Sequence, residues 1–251
     1  MFPFRRPPAA PRLRLLCLPY AGGAASVYRS WVTALGPAID VCPVELPGRG
    51  VRLAEPPLAE LDALCDLLAP AIAALGDDVP LAVFGHSMGA RIGFELAQRL
   101  DAGAGAPLRH LFASAAPAPG VRLRYGPDGD SRLTAGLSDA ELLARLTQLG
   151  GTPPEILADR DLMARVLPTV RADFVVSENT RVDPSARLSC PITVLAGTDD
   201  LGATPTAARA WQLRTTAAFR VVELTAGHFF LDSHRDDVLR EVHRDLAALV
   251  G

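Results

Sequence analysis

The stretch Gly85-His86-Ser87-Met88-Gly89 holds a serine with a glycine two residues away on each side. A serine hydroxyl is a poor nucleophile unless a histidine takes its proton and a carboxylate holds that histidine. The G-x-S-x-G spacing suits a turn between a strand and a helix. That turn is so tight that side chains two before and two after the serine would collide. Ser87 is therefore the candidate nucleophile. The following helix would aim its N-terminal N–H groups at the place where an oxyanion forms.

The base is sought among five histidines. His86 lies inside the motif and is expected to point away from the base position. His110 opens a strand-like run, and His234 and His243 fall in the C-terminal helical pattern. His228, in "TAGHFFL", alone occupies a loop after a strand-like run, and is the candidate base. In this arrangement the chain order is nucleophile, acid, base. "ITVLAGTDD" offers Asp199 and Asp200. The position three residues past the strand-ending Gly197 selects Asp200, with Asp199 as a turn residue capping its own backbone. Two backbone N–H groups must face the oxyanion. Met88, next after the serine, supplies one. The other comes from "LPYAGGAAS", with Ala21 the candidate donor and Tyr20 the alternative.

The elements that must position these residues are legible as alternating patterns. Strand-like apolar runs begin at Leu13, Ile39, Pro80, Leu108, Cys190 and Phe219. Helical periodicity fills the intervals, as in "ASVYRSWVTALG", "PLAELDALCDLLAPAIAALG", "MGARIGFELAQRL" and "TPTAARAWQLRTT", and a last helix follows from His234. The alternation predicts an α/β fold with a mostly parallel sheet and helices on both faces. Residues 117–188 break the rhythm and carry no strand signal. Ser138 with Glu141 three residues on is a capping box, and Pro168 is expected to start a new helix. The region reads as a helical insertion within one domain of residues 1–251, placed as a lid over the carboxyl ends of the strands.

Composition sets outer bounds. The 251 residues are 49% hydrophobic and 21% charged, enough for one sizeable core. A net charge of −3 does not suit a nucleic-acid partner. No apolar run is long enough to span a bilayer. The basic, proline-rich residues 1–11 lack a signal-peptide core and read as a loose arm. Cys17, Cys42, Cys65 and Cys190 show no metal-ligand spacing, which predicts buried free thiols in a reducing cytoplasm.

From about Arg12 onward, "LPYAGGAASVYRSW", "ELPGRGVRLAEPP", "FGHSMGARIGFELA", "LGGTPPEIL", "VLPTVRADF", "CPITVLAGTDD" and "AGHFFL" resemble the stand-alone type II thioesterases of polyketide and non-ribosomal peptide pathways. The resemblance implies an α/β-hydrolase fold with a helical lid. It also implies removal of stalled or wrong acyl groups from the phosphopantetheine arm of acyl or peptidyl carrier proteins. By position it assigns Ser87, Asp200 and His228 to the catalytic set, and agrees with Ala21 and Met88 as oxyanion donors. No cofactor or metal is implied, because the substrate carries the arm, and a monomer is expected. Alternatives in other classes are a product-releasing or cyclising thioesterase or acyltransferase, and a non-catalytic binding protein of the same fold. Two positions depart from the family pattern. Arg91 puts a charge on the helix behind the nucleophile, where apolar residues are usual and where a cation must reach solvent or a partner. "LGATPT" after Asp200 lacks the usual acidic or proline-rich turn. Arg122 and Arg124 near the lid are candidates for steering an acidic carrier or for a solvated loop face. Arg49 in "PGRG" reads as a structural turn, with a contact at the site entrance as the alternative.

Overall fold

The computed structural model describes residues 1–101, 106–121, 133–179 and 181–250. Six strands form the sheet: β1 (Leu13–Leu18), β2 (Ile39–Pro43), β3 (Leu81–His86), β4 (Leu108–Ser114), β5 (Ile192–Gly197) and β6 (Phe219–Leu224). They lie in the order β2-β1-β3-β4-β5-β6, every pair parallel. Every residue of β1, β2, β3 and β5 is buried, which explains their mostly apolar sequence, interrupted by the buried Arg14, Asp40, His86 and Thr193. The edge strand β6 is only half-buried. The chain runs from β1 outward to β2, then returns to the other side of β1 with β3. This reversal opens a crevice at the carboxyl ends of β1 and β3.

The helices are α1 (Trp31–Ala34), α2 (Leu61–Ala73), α3 (Met88–Asp101), α4 (Asp139–Leu149), α5 (Pro154–Ala158), α6 (Arg160–Glu178), α7 (Pro205–Arg209), α8 (Phe230–Ser233) and α9 (Arg235–Val250). One face of the sheet is covered by α2 and α3, joined by the buried Trp211. The other is covered by Tyr28, Trp31 and the Val238, Val242, Leu246 stripe of α9. Two expected helices are shorter than their patterns. The "ASVYRSWVTALG" stretch becomes a 3₁₀ turn, Ala25–Tyr28, followed by α1. Tyr28 and Trp31, three residues apart, both pack edge-on to Phe84, and a spacing of three aligns better with the 3₁₀ repeat. The second is α7, which gives way to a 3₁₀ segment, Ala210–Arg214, where Trp211 Nε1 donates to the Ala116 carbonyl at 2.9 Å. All four cysteines are buried free thiols. Among the described residues no helix is long and apolar enough to cross a membrane.

The N-terminal arm is tied down, correcting the expectation of a loose segment. Asp40 is fully buried on edge strand β2 and needs cations. Arg5 supplies one at 2.7 Å, and Arg14 approaches at 3.5 Å. The Glu45 N–H donates to the Met1 carbonyl, and Met1 and Phe2 pack on the core.

Between β4 and β5 the chain leaves the sheet and forms α4, α5 and α6. The Ser138–Glu141 capping box opens α4. Contrary to the expectation that it starts a new helix, Pro168 lies inside α6. An internal proline costs about 3 kcal/mol. Packing on both sides of it offsets that cost: Met163 and Leu167 before it, Val170 and Phe174 after it, share a small core with α4. Thr169 also donates its hydroxyl to the Gly48 carbonyl at 2.9 Å. A buried ion pair clamps α6 to the sheet. Arg49 grips Asp173 with both arms of its guanidinium, at 2.6 and 2.7 Å. Arg49 also donates to the Gly23 carbonyl, and Asp173 accepts the Gly22 N–H at 2.7 Å. Arg49 is thus structural, as its turn suggested, and its partner is the insertion.

Two outcomes follow for stability. A Cβ at Gly85 would lie 2.1 Å from the Gly89 carbonyl oxygen, backbone that cannot yield, whereas Gly136 faces open space. Gly85→Ala should cost roughly 3 kcal/mol or more, at the upper end of overpacking penalties. Gly136→Ala should stay within about 0.5 kcal/mol, and urea unfolding checks both. Arg49→Met leaves Asp173 buried without its cation. It should lose about 3–5 kcal/mol by the same measurement, more than the exposed-side Arg240→Met.

Candidate active site

Ser87 stands at the junction of β3 and α3 with φ 53°, a left-handed conformation rare outside glycine. The strain is held by backbone bonds. Ser87 N–H donates to the Ser114 carbonyl at 2.7 Å, and its own carbonyl accepts from Ala90 N–H at 3.0 Å. The two glycines make the turn possible. A Cβ on Gly89 would lie 2.1 Å from the Leu18 carbonyl oxygen, so α3 presses directly on the end of β1.

His228 lies in the loop after β6, and its Nε2 is 3.0 Å from Ser87 Oγ. Its Nδ1 is 2.7 Å from Asp200 Oδ2. Asp200 Oδ1 accepts the Gly202 and Ala203 N–H groups at 2.9 and 3.0 Å. Burial, the largest influence, pushes the Asp200 carboxyl up. The His228 bond and charge and the two N–H donors outweigh it, and hold the carboxyl below the usual carboxylate range. Since the carboxylate only accepts, Nδ1 carries a proton and Nε2 is left to accept from Ser87. Asp199 is exposed, and among the described residues its carboxylate accepts only from the neighbouring Thr198 hydroxyl, while its backbone N–H donates to the Ala226 carbonyl at 3.0 Å. The structure thus brings together Ser87, His228 and Asp200, from the ends of β3, β6 and β5.

The loop after β1 closes the other side. Gly23 N–H donates to the Tyr20 carbonyl across a turn with Gly22 at φ 77°, as the third residue of a type II turn requires. Gly22 N–H is committed to Asp173. The Ala21 N–H has no acceptor among the described residues. Met88 opens α3, so no carbonyl of that helix reaches its N–H. Tyr20, Ala21, Ser87, His228 and Phe229 border a cleft of about 650 Å³ including its mouth, roofed by Leu146, Leu149 and Phe174 of the insertion. Gly151 lies against the Phe229 ring, where a Cβ would come within 2.2 Å.

His86 has a task that its place in the motif hid. It does not face Ser87, as expected. Its Nε2–H donates to the His228 backbone carbonyl at 2.9 Å, and its Nδ1 accepts from Ser114 Oγ at 2.9 Å. Burial, reinforced by His228, drives its pKa down to about 3, so the ring is neutral and these roles are fixed. The signal for this was present: a polar residue ending a wholly buried strand must find partners. His110 is buried in β4 against Thr193, His234 closes α8 and precedes α9, and His243 lies within α9. Arg122 and Arg124 lie outside the described residues. Among the described residues no cluster of side chains could hold a metal ion.

A thioesterase-domain family model matches residues 13–246. The gramicidin S biosynthesis protein GrsT of Aneurinibacillus migulanus is 36% identical over 97% of this chain and 92% of its own length. Among solved structures, the type II thioesterase BorB from the borrelidin biosynthetic cluster is 41% identical. It has a TM-score of 0.83 and covers 96% of this chain and 95% of that one. RedJ, a thioesterase of the prodiginine pathway in Streptomyces coelicolor, is 37% identical with a TM-score of 0.84, covering 96% of this chain and 88% of its own. With its parallel sheet, inserted helices and serine at the strand–helix turn, the chain belongs to the thioesterase family, and is a type II thioesterase of the polyketide and non-ribosomal peptide class, a thioester hydrolase with the α/β-hydrolase fold.

Proposed function

We propose that the protein hydrolyses acyl groups from the phosphopantetheine arm of acyl or peptidyl carrier proteins, clearing stalled or aberrant chains. The observation that carries this reading is the Ser87–His228–Asp200 hydrogen-bond relay, opening into a cleft beneath the inserted helices. His228 Nε2 accepts the Ser87 proton as Oγ attacks the thioester carbonyl. The Ala21 and Met88 N–H groups hold the oxyanion. The C–S bond breaks, and the arm's sulfur leaves with the proton from His228. Water then attacks the acyl-serine while His228 takes its proton, the ester bond to Ser87 Oγ breaks, His228 returns the proton to Oγ, and the free acid departs. Asp200 keeps the imidazole in the required tautomer and stabilises the imidazolium. These steps draw on protein groups and water alone, so the reading needs no cofactor.

The arm extends about 20 Å, an order-of-magnitude reach from chain geometry. A carrier would dock at the mouth of the cleft and thread its arm under the lid formed by α4, α5 and α6. On this reading the enzyme works as a monomer in the cytoplasm, on carriers rather than on nucleic acid or membranes. Free acid as the sole product from mis-loaded carriers supports editing; a lactone or ester from a full-length chain would instead mark a releasing enzyme.

Ser87→Ala should lower kcat for acyl-thioester hydrolysis by roughly 10³-fold or more with unchanged circular dichroism. Near-normal turnover would remove Ser87 from the mechanism. Asp200→Asn should cost about 10³–10⁴ in kcat, through the wrong His228 tautomer. The same pair has a signature in stability. A carboxyl held below its ordinary pKa adds stability above about pH 4, and loses it as pH falls through the lowered folded value. The Tm advantage of wild type over Asp200→Asn should therefore be full at pH 7 and vanish in stronger acid.

A further inference from the structure

A second cavity also borders Ser87. It holds about 330 Å³ including its mouth, and is bordered by Ser87, Met88, Arg91, Ala116, Ala118 and Asn179. Its one charged residue among those described is Arg91, in the first turn of α3, with Ser177 and Asn179 as further polar side chains. Because Ser87 and Arg91 border the same small cavity, a group bound at the serine that enters this cavity meets the guanidinium.

Arg91 is poorly provided for within the protein. Among the described residues its only hydrogen bond runs from one terminal nitrogen to the Arg181 carbonyl, a neutral acceptor. Its Nε is buried with no partner among the described residues. Glu95, a carboxylate that favours the charged form of Arg91, is shared with Gln98 and Arg99. Arg214 adds repulsion rather than relief. Burial pulls the Arg91 pKa down to about 10, so at neutral pH it remains a cation. A half-buried cation with a free N–H, beside the nucleophile, is an arrangement that an anion completes. The arm cannot supply that anion, because its phosphate lies about 20 Å from the thioester, in the same order-of-magnitude reach.

We propose that this cavity is an acyl subsite for carboxyacyl thioesters, in which Arg91 pairs with a carboxylate carried a few carbons beyond the thioester carbonyl, as in malonyl or succinyl groups. The inference rests on the hydrolytic reading of Ser87. The reaction is the same hydrolysis: the C–S bond breaks, water supplies the new C–O bond, and the distal carboxylate is unchanged. The first cleft, roofed by Leu146, Leu149 and Phe174, is left for the arm.

The test uses pantetheine thioesters of malonate and succinate beside their methyl esters, which keep the shape and remove the charge. Wild type should hydrolyse each acid with kcat/KM roughly 10-fold above its methyl ester, the gain of a charge-assisted pair. Arg91→Met should collapse that ratio by roughly 10-fold or more, and Arg91→Lys should restore part of it. Parity in wild type, or the same ratio in Arg91→Met as in wild type, would overturn the proposal. The wild-type comparison stands even if Arg91→Met fails to fold. Hydrolysis of the methyl esters at parity with the acids leaves the Ser87 reading intact; hydrolysis of no thioester at all removes that reading instead.

Discussion

The site depends on one backbone-on-backbone contact. Gly89, in the first turn of α3, lies against the Leu18 and Pro19 carbonyls at the end of β1. No side chain fits there. Because the helix comes this close, its first N–H group and the loop after β1 face the same point in space. Because β3 must turn into α3 within a few atoms of Gly85, Ser87 is left at φ 53° with its hydroxyl projecting from the sheet. The reversal of strand order between β1 and β3 places this contact at the crevice, so topology and local strain meet at a single residue.

Around that point each polar group of the site is held by a further partner. His86 and Ser114 support the His228 backbone, and the N–H groups of Gly202 and Ala203 hold Asp200. The insertion reaches both halves of the site. Asp173 on α6 takes the Gly22 N–H beside Ala21, while Gly151 rests on the ring next to His228. The inserted helices therefore border the cleft and also brace the loops beside it. Any rearrangement of α6 that broke the Arg49–Asp173 pair would release the Gly22 peptide as well.

Much of this was legible in the sequence because the controlling constraints are local. Two glycines flanking a serine, a strand run before it and a helical run after it specify the turn without reference to the rest of the chain. Asp200 and His228 were found because each follows a strand-ending glycine or a short turn at a fixed distance. Contacts between distant segments were not legible. Nothing in "PFRRPP" shows that Arg5 neutralises Asp40, and nothing in "PGRG" shows that Arg49 meets Asp173, 124 residues away. Pro168 misled for the same reason: its local penalty is real, but tertiary packing on both sides of it holds one helix.

The central claim is that Ser87 becomes covalently acylated. The most direct test is rapid acid quench of the protein with an acyl thioester, followed by peptide mass mapping. The account predicts an acyl mass increment on the peptide that contains Ser87, formed and lost on the time scale of turnover. Turnover with no acyl-peptide at any quench time, or with the increment on another residue, would contradict it.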